Sequence, residues 1–323
     1  MIEVRHLTKR YGSHTAVSDL SFTIDNGNVY GFLGPHGAGK STTMNIITGC
    51  LGATEGEALI DGHSIAEEPM KAKRLIGYLP EQPPLYLDMT AKEYLRFVAK
   101  AKGIPHREQA AQIAAVMDKT RIDDVQNRLM RNLSKGYRQR VGIAQALLGN
   151  PEVIILDEPT VGLDPKQMIE IRELIRELGK EHTMVLSSHI LSEVQAVCGS
   201  IMIISGGKLV ASDTPENLTA LLAGTTTLKL EVKADEQQAR EVMDHIAGIA
   251  DWQLLPGEEE TIRLDVQPED KLDLRETLFT AFAQAGRPIL EMTRVRASLE
   301  DVFLELTSGD ETPVQQEKEG QAS

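Results

Sequence analysis

The sequence predicts an α/β fold with a mixed, largely parallel sheet at its centre, followed by a small α+β domain. Three observations predict it. A glycine-rich loop, Gly34-Pro35-His36-Gly37-Ala38-Gly39-Lys40-Ser41-Thr42, sits between a strand-like run and a helix-compatible one. A short unbroken apolar run, Val153-Ile154-Ile155-Leu156, ends in Asp157-Glu158. From about residue 225 the pattern changes to alternating short strands and two helices.

The loop comes first in the chain. Asn28-Val29-Tyr30-Gly31-Phe32-Leu33 reads as the strand before it, and Thr43-Met44-Asn45-Ile46-Ile47 as the helix after it. This is the G-x-x-x-x-G-K-[ST] pattern in the strand–loop–helix setting that gives it meaning. Gly34, Gly37 and Gly39 let the backbone fold tightly and turn N–H groups toward a phosphate. The helix that follows aims its positive N-terminus at the same phosphate. Lys40 then reaches the β- and γ-phosphates, and the Ser41 hydroxyl ligates Mg²⁺. The expected ligand is a nucleoside triphosphate.

Val153–Asp157 reads as a strand buried on both faces of a parallel sheet. Ligands of open α/β sheets collect at the carboxyl ends of the strands. Asp157 is therefore expected at the Mg²⁺ held by Ser41, and Glu158 beside the water that attacks the γ-phosphate. Hydrolysis is expected rather than binding alone.

Leu133-Ser134-Lys135-Gly136-Tyr137-Arg138-Gln139-Arg140 precedes a helical pattern through Val141, Ala144 and Leu148. In local chemistry Ser134 is a helix N-cap, and Gly136 leaves the first turn open to an approaching anion; a plain cap explains the same residues. Its place, one helix before the Asp157-Glu158 strand, resembles the ATP-binding cassette (ABC) ATPases, whose Leu-Ser-Gly-Gly-Gln signature lies there. The resemblance covers about the first 220 residues. It implies that Ser134 and Gly136 of one subunit close over ATP held by the phosphate loop of another. It also implies that Tyr11 stacks on adenine, that Asp164 lies in a loop crossing the dimer interface, and that His189 contacts the γ-phosphate.

The chain departs from that family at four places. His36 stands where many cassettes have Asn. Lys135 and Tyr137 replace the first signature glycine and the glutamine. In Gly77-Tyr78-Leu79-Pro80-Glu81-Gln82 the family's coupling glutamine aligns with Glu81, and Gln82 falls one position late. Either could take the coupling role. The Lys-Gly-Tyr-Arg-Gln-Arg variant resembles an exporter branch that includes drug, polysaccharide and gliding-motility ATPases.

Between the loop and the acidic strand, Thr90-Ala91-Lys92-Glu93 is a capping box. It opens a helix with Tyr94, Leu95, Phe97 and Val98, in a mostly helical insert from about 90 to 150. Ser205-Gly206-Gly207-Lys208 reads as a hairpin turn near the end of the first domain, residues 1–220. In residues 225–307 strands are expected over 227–232, 251–255, 261–266 and 289–295, and helices over 237–247 and 272–285. That β-α-β-β-α-β order suggests a ferredoxin-like domain. Ser298–Leu306 reads as a closing helix, Glu258-Glu259-Glu260 as a solvated turn, and 308–323 as a polar disordered tail.

Composition limits the partners. A formal net charge of −14 and a pI near 5.1 argue against a surface built for nucleic acid. Two cysteines, Cys50 and Cys198, suggest neither a disulfide framework nor a zinc cluster, and fit a reducing cytosol. A secretory leader pattern and a run of about 18 apolar residues are both missing, so the chain is not expected to cross a membrane itself. The resemblance implies an ATP-hydrolysing subunit working as a dimer of cassettes, a homodimer in the simplest case. It would dock on a separate transmembrane permease at the inner face of the cell membrane, through residues 78–100, with Tyr86, Leu87, Met89 and Tyr94 as contacts. The alternative is a soluble ABC ATPase acting on ribosomes or nucleic-acid complexes, a class that usually repeats the cassette or carries a long coiled coil. Neither feature is present in the sequence.

Overall fold

The computed structural model describes residues 1–221, 226–257, 260–269, 272–296 and 298–307. Residues 222–225, the acids Glu258-Glu259 and the tail 308–323 lie outside the described residues. Contacts group the chain into two units: one spans Met1–Pro215 and takes in the chain from Leu306, and the other spans Glu216–Glu305.

The first unit opens with β1 (Ile2–Tyr11) and β2 (His14–Ile24), an antiparallel pair. Next come β3 (Val29–Leu33), α1 (Lys40–Ile47), β4 (Glu55–Ile60), β5 (His63–Ser64), α2 (Pro69–Arg74) and β6 (Ile76–Leu79). The helical insert follows as α3 (Ala91–Ala101), α4 (His106–Thr120) and α5 (Lys135–Leu147). Strand and helix then alternate through β7 (Val153–Asp157), α6 (Pro165–Leu178), β8 (Thr183–Ser188), α7 (Leu191–Val197), β9 (Ser200–Ser205) and β10 (Lys208–Asp213), and α8 (Pro215–Leu221) comes after.

Two sheets result. The antiparallel one runs β2-β1-β4-β5, and the six-stranded one runs β10-β9-β3-β8-β7-β6. In the latter β3, β6, β7, β8 and β9 are mutually parallel where they pair, and β10 closes the edge antiparallel to β9. Every residue of β7 and β8 is buried, as expected for strands covered on both faces. One apolar cluster joins Ile2, Val4 and Leu20 of the first sheet to Phe32, Ile155 and Val185 of the second. The hairpin turn is Gly206-Gly207, with φ of 51° and 75°, the backbone that a two-residue type I′ turn demands. It is tied to the phosphate loop by a Gly207 N–H to Ala38 O bond of 3.2 Å.

Helix starts follow their caps. Thr90 and Glu93 form the complete capping box of α3. Ser134 caps α5, and Asp164 caps α6 ahead of Pro165 at its first position.

The second unit contains β11 (Thr226–Val232), α9 (Glu236–Met243), β12 (Ile249–Pro256), β13 (Ile262–Pro268), α10 (Arg275–Gln284) and β14 (Ile289–Arg296), with α11 (Leu299–Thr307) after it. Its sheet order is β12-β13-β11-β14, antiparallel throughout, which is the ferredoxin-like arrangement of β-α-β-β-α-β elements. Leu228, Leu230 and Val232 pair with Val266, Leu264 and Ile262 and pack on Leu278 and Phe282. α9 stops at Met243 rather than Ala247, because the chain must turn through Gly248, at φ 85°, to enter β12.

Trp252, the one tryptophan of the sequence, packs against this core, so its fluorescence reports the second unit alone. Phe282 is fully buried there. Phe282→Ala is expected to destabilise the unit by about 3–5 kcal/mol, read as an earlier Trp252 transition in urea; an unchanged midpoint would contradict this core assignment.

Candidate nucleotide site

The loop from Gly34 to Thr42 leaves β3 and enters α1, whose first residues are Lys40 and Ser41. Gly39 sits at φ 98°, and a Cβ there would meet Ala16 O at 2.5 Å, so only glycine closes this turn. The Lys40 side chain is 6 % exposed. Its ammonium donates to Gly34 O at 2.7 Å and Pro35 O at 3.0 Å, and lies 3.9 Å from Glu158 Oε1. Burial holds this ammonium below the usual lysine range, against the opposing pull of Glu158, Asp157 and Glu81. A buried cation resting on two carbonyls is poised for an anion.

β7 delivers the acids to the same place. Asp157 Oδ1 accepts from Ser41 Oγ at 3.3 Å and from Ser187 Oγ at 2.5 Å. Glu158 has φ 47°, a left-handed backbone that costs a non-glycine residue about 1–3 kcal/mol. Its N–H donates to Ser187 Oγ at 3.0 Å, so one serine holds both acids. The Glu158 carboxylate is 7 % exposed and pairs through Oε2 with His189 Nδ1 at 2.9 Å. The His189 ring lies 4.4 Å from that of His36, centroid to centroid, tilted by 39°.

Tyr11, His36, Glu81, Glu158 and His189 line one cleft of about 370 Å³ with Gly37, Gly39 and Lys40-Ser41-Thr42. Gly34 and Pro35 stand behind it through their carbonyls, and Ala38 through its backbone bond to the hairpin. The Tyr11 ring is half exposed, with Lys9 Nζ 5.3 Å from its centroid. Glu81 reaches the cleft and Gln82 is not among its lining residues.

Ser134, Gly136 and Asp164 are not brought to this cleft. Ser134 and Gly136 line a second cavity of about 340 Å³ with Arg121, Tyr137, Arg140 and Gln167. Ser134 Oγ accepts from Tyr137 N–H at 3.4 Å, and Asp164 Oδ1 accepts from Gln167 N–H at 2.9 Å. The first turn of α5 is not open at Gly136 as expected: a Cβ there would meet Gln167 Oε1 at 2.6 Å, so the Gln167 side chain covers it. Lys135 also reaches out of its own helix, with Nζ against Gly162.

The oxygen donors of the first cleft suit a hard divalent cation. Ser41 Oγ and Asp157 Oδ1 face one another, and Mg²⁺ is commonly held by one or two such groups together with substrate phosphates. Sequence reasoning missed Ser187, although its signal was present: two serines, Ser187 and Ser188, close a strand that is otherwise apolar over 184–186. It also missed His14, Ala16 and Val161 in the cleft wall.

Comparisons with known proteins agree with this geometry. The family model described as "ABC transporter" matches residues 17–161. The chain is 31 % identical over 308 residues to the linearmycin resistance ATP-binding protein LnrL of Bacillus subtilis (strain 168), covering 95 % of this chain and 98 % of that one. It is 35 % identical over 311 residues to the bacitracin transport ATP-binding protein BcrA of Bacillus licheniformis, covering 96 % and 98 %. Among solved structures it is similar to the dimeric ATP-binding cassette MJ0796 in a post-hydrolysis state bound to ADP and Pi. That likeness has a TM-score of 0.61 at 28 % identity and covers 66 % of this chain and 98 % of that one.

Replacing Lys40 by alanine removes the only ammonium among the cleft's lining residues. Lys40→Ala should weaken ATP binding by at least about tenfold, the worth of one charge-assisted contact, in a calorimetric titration. Unchanged affinity in a folded variant would place the phosphates elsewhere.

Proposed function

The chain belongs to the ATP-binding cassette transporter family, as an ATP-binding and ATP-hydrolysing subunit that works as a dimer, and we propose that it drives export through a separate membrane permease. The observation that carries the catalytic part is the convergence of Lys40, Glu158 and His189 on one cleft at the phosphate loop, with Asp157 bonded to Ser41 in its wall. The export part rests on full-length similarity to subunits named for antibiotic resistance and antibiotic transport.

On this reading the loop N–H groups of Gly34–Thr42 cradle the phosphates and Tyr11 stacks on the adenine. Lys40 leaves the carbonyls of Gly34 and Pro35 to neutralise the β- and γ-phosphates. Ser41 and Asp157 would hold Mg²⁺, which when bound would supply positive charge against that of the phosphates. Glu158 accepts the proton of the attacking water, and its left-handed backbone aims the carboxylate into the cleft. A carboxylate only accepts, so His189 donates to it through Nδ1. Nε2 then donates to a γ-phosphate oxygen when the ring carries its second proton. Glu81 is the cleft-side candidate for the coupling role, with Gln82 outside.

Ser134 and Gly136 line a cavity that shares no residue with the phosphate cleft. They serve a nucleotide held by a second cassette, a second copy of this chain in the simplest assembly, with Asp164 in the loop between. Closing that interface requires Gln167 to withdraw from Gly136.

The permease contact lies on the segment after Glu81. Tyr86, Leu87 and Phe97 are each 43–49 % exposed, and the Tyr86 ring meets Phe97 edge-on at 5.2 Å. Tyr94, expected among the contacts, is 2 % exposed and packs beneath Tyr86 at 6.2 Å, because α3 turns that face into the insert. Phe97 takes its place, and Met89 remains half-buried at the edge. Among the described residues no helix is long and apolar enough to cross a membrane, so the membrane-spanning path belongs to the partner. The subunit then works from the inner face of the cell membrane.

Tyr86→Asp combined with Leu87→Asp should abolish co-purification with a multi-spanning partner from solubilised membranes while leaving ATP turnover of the isolated subunit within about twofold, as surface substitutions outside the site do. Recovery of the native protein with ribosomes in place of membranes would overturn the transport reading.

A further inference from the structure

Glu193 is a buried acid to which the hydrolysis reading gives no task. It lies on α7, four residues past His189, and is 3 % exposed. Its Oε2 accepts from Thr160 Oγ1 at 2.5 Å and from Ser188 Oγ at 3.1 Å, while Oε1 is buried without a hydrogen-bond partner. A carboxylate kept out of water with half its acceptors unused is costly, and an apolar residue of similar volume would fill the space more cheaply. Packing alone does not explain an acid at this position.

Its two partners sit at informative places. Thr160 is two residues past Glu158, and its carbonyl accepts from Leu163 N–H at 3.2 Å in the turn that leads to Asp164. Ser188 directly precedes His189, and its Oγ also accepts from Ile190 N–H at 3.0 Å, which clamps the backbone on the far side of that histidine. Val161, next to Thr160, lines the nucleotide cleft together with Glu158 and His189. One carboxylate oxygen therefore joins the turn after the acid pair to the segment bearing the imidazole.

We propose that Glu193 is a positioning residue that makes the 160–164 turn and the His189 segment move as one body. The 2.9 Å pairing of Glu158 with His189 then depends on where the turn lies. The inference rests on the hydrolysis reading and deepens it: the turn carries Asp164, so a second cassette pressing on it sets the alignment of the catalytic pair. Oε2 needs both hydroxyl donors at once, and loss of either loosens the link.

Steady-state ATP hydrolysis by the full chain, its Glu193 variants and the Thr160→Val, Ser188→Ala pair tests this. Glu193→Leu should lower kcat by at least about tenfold, the worth of hydrogen bonds to a charged group, with KM for ATP changed by less than about twofold. Glu193→Gln should recover most of kcat, because an amide carbonyl can accept both hydroxyls. Thr160→Val and Ser188→Ala should each reduce kcat, and the double variant should lose little more than the worse single one, since each already breaks the same link. If Glu193→Leu fails to fold, that pair of hydroxyl substitutions carries the test unaided. A kcat for Glu193→Leu equal to wild type, or hydroxyl effects that multiply independently, would overturn the positioning role while leaving the hydrolysis reading intact. Wild-type protein that binds ATP without hydrolysing it would overturn both.

Discussion

The burial of the Lys40 ammonium behind the phosphate loop, within 3.9 Å of Glu158, is the interaction on which the rest of the site depends. Taking a cation out of water is unfavourable, and the protein offsets it with two loop carbonyls and with Asp157 and Glu158 at the carboxyl end of β7 and Glu81 just past β6. β7 and β8 bring the acids and Ser187 to one point because both strands are buried along their whole length and run parallel in fixed register, Asp157 opposite Ser187. Ser187 then converts register into chemistry by bonding Asp157 through its hydroxyl and the backbone of Glu158 through its oxygen. The apolar core is in this sense the device that sets the distances among charged groups.

The parts of this site that were legible in the sequence are those whose chemistry fixes spacing along the chain. A phosphate loop must place glycines, lysine and serine within nine residues, and an unbroken apolar run ending in two acids can hardly be anything but a buried strand at a ligand edge. The strand alternation of residues 227–232 and 261–266 likewise gave the ferredoxin-like order, because one face of that sheet is covered by helices. What could not be read depends on neighbours distant in sequence. Gln167 covers Gly136 from a different helix, Tyr94 is buried although Phe97 on the same helix is not, and Glu193 reaches Thr160 across 33 residues. The phosphate loop and the acid pair meet as the motifs implied, and His189, expected from the resemblance alone, lies beside them. Ser134, Gly136 and Asp164 lie apart from them, each engaged in capping a helix or held beneath a side chain.

That separation gives the dimer its physical purpose. The phosphate cleft lies on one side of the chain, and a second cavity, rimmed by Arg121, Arg140 and Tyr137, has its Tyr137 and Arg140 groups bonded within the chain. Tyr137 donates to Asp124 at 2.8 Å, a bond that also raises its phenol above the ordinary range. Nucleotide arriving with a partner can replace the exposed Tyr137–Asp124 bond at low cost, since such a contact is worth little in water. In the proposed dimer ATP acts as a bridge between two cassettes, and its hydrolysis removes the bridge. Transport requires that cycle to be coupled to another body, for which the aromatic surface of Tyr86 and Phe97 is available.

The central claim is that Glu158 serves the attacking water while the rest of the cleft binds ATP and closes the dimer. It is tested most directly by following turnover and assembly together in the Glu158→Gln protein. Glutamine keeps the shape and the backbone bond to Ser187 but cannot take a proton. Turnover should fall at least about a hundredfold, the typical contribution of a general base. ATP should still bind, and an ATP-dependent dimer should accumulate in sedimentation velocity, where the wild-type protein with ATP returns to monomer as it hydrolyses. Undiminished turnover would remove Glu158 from the chemistry, and a variant that binds ATP yet stays monomeric would contradict the bridging role of the nucleotide.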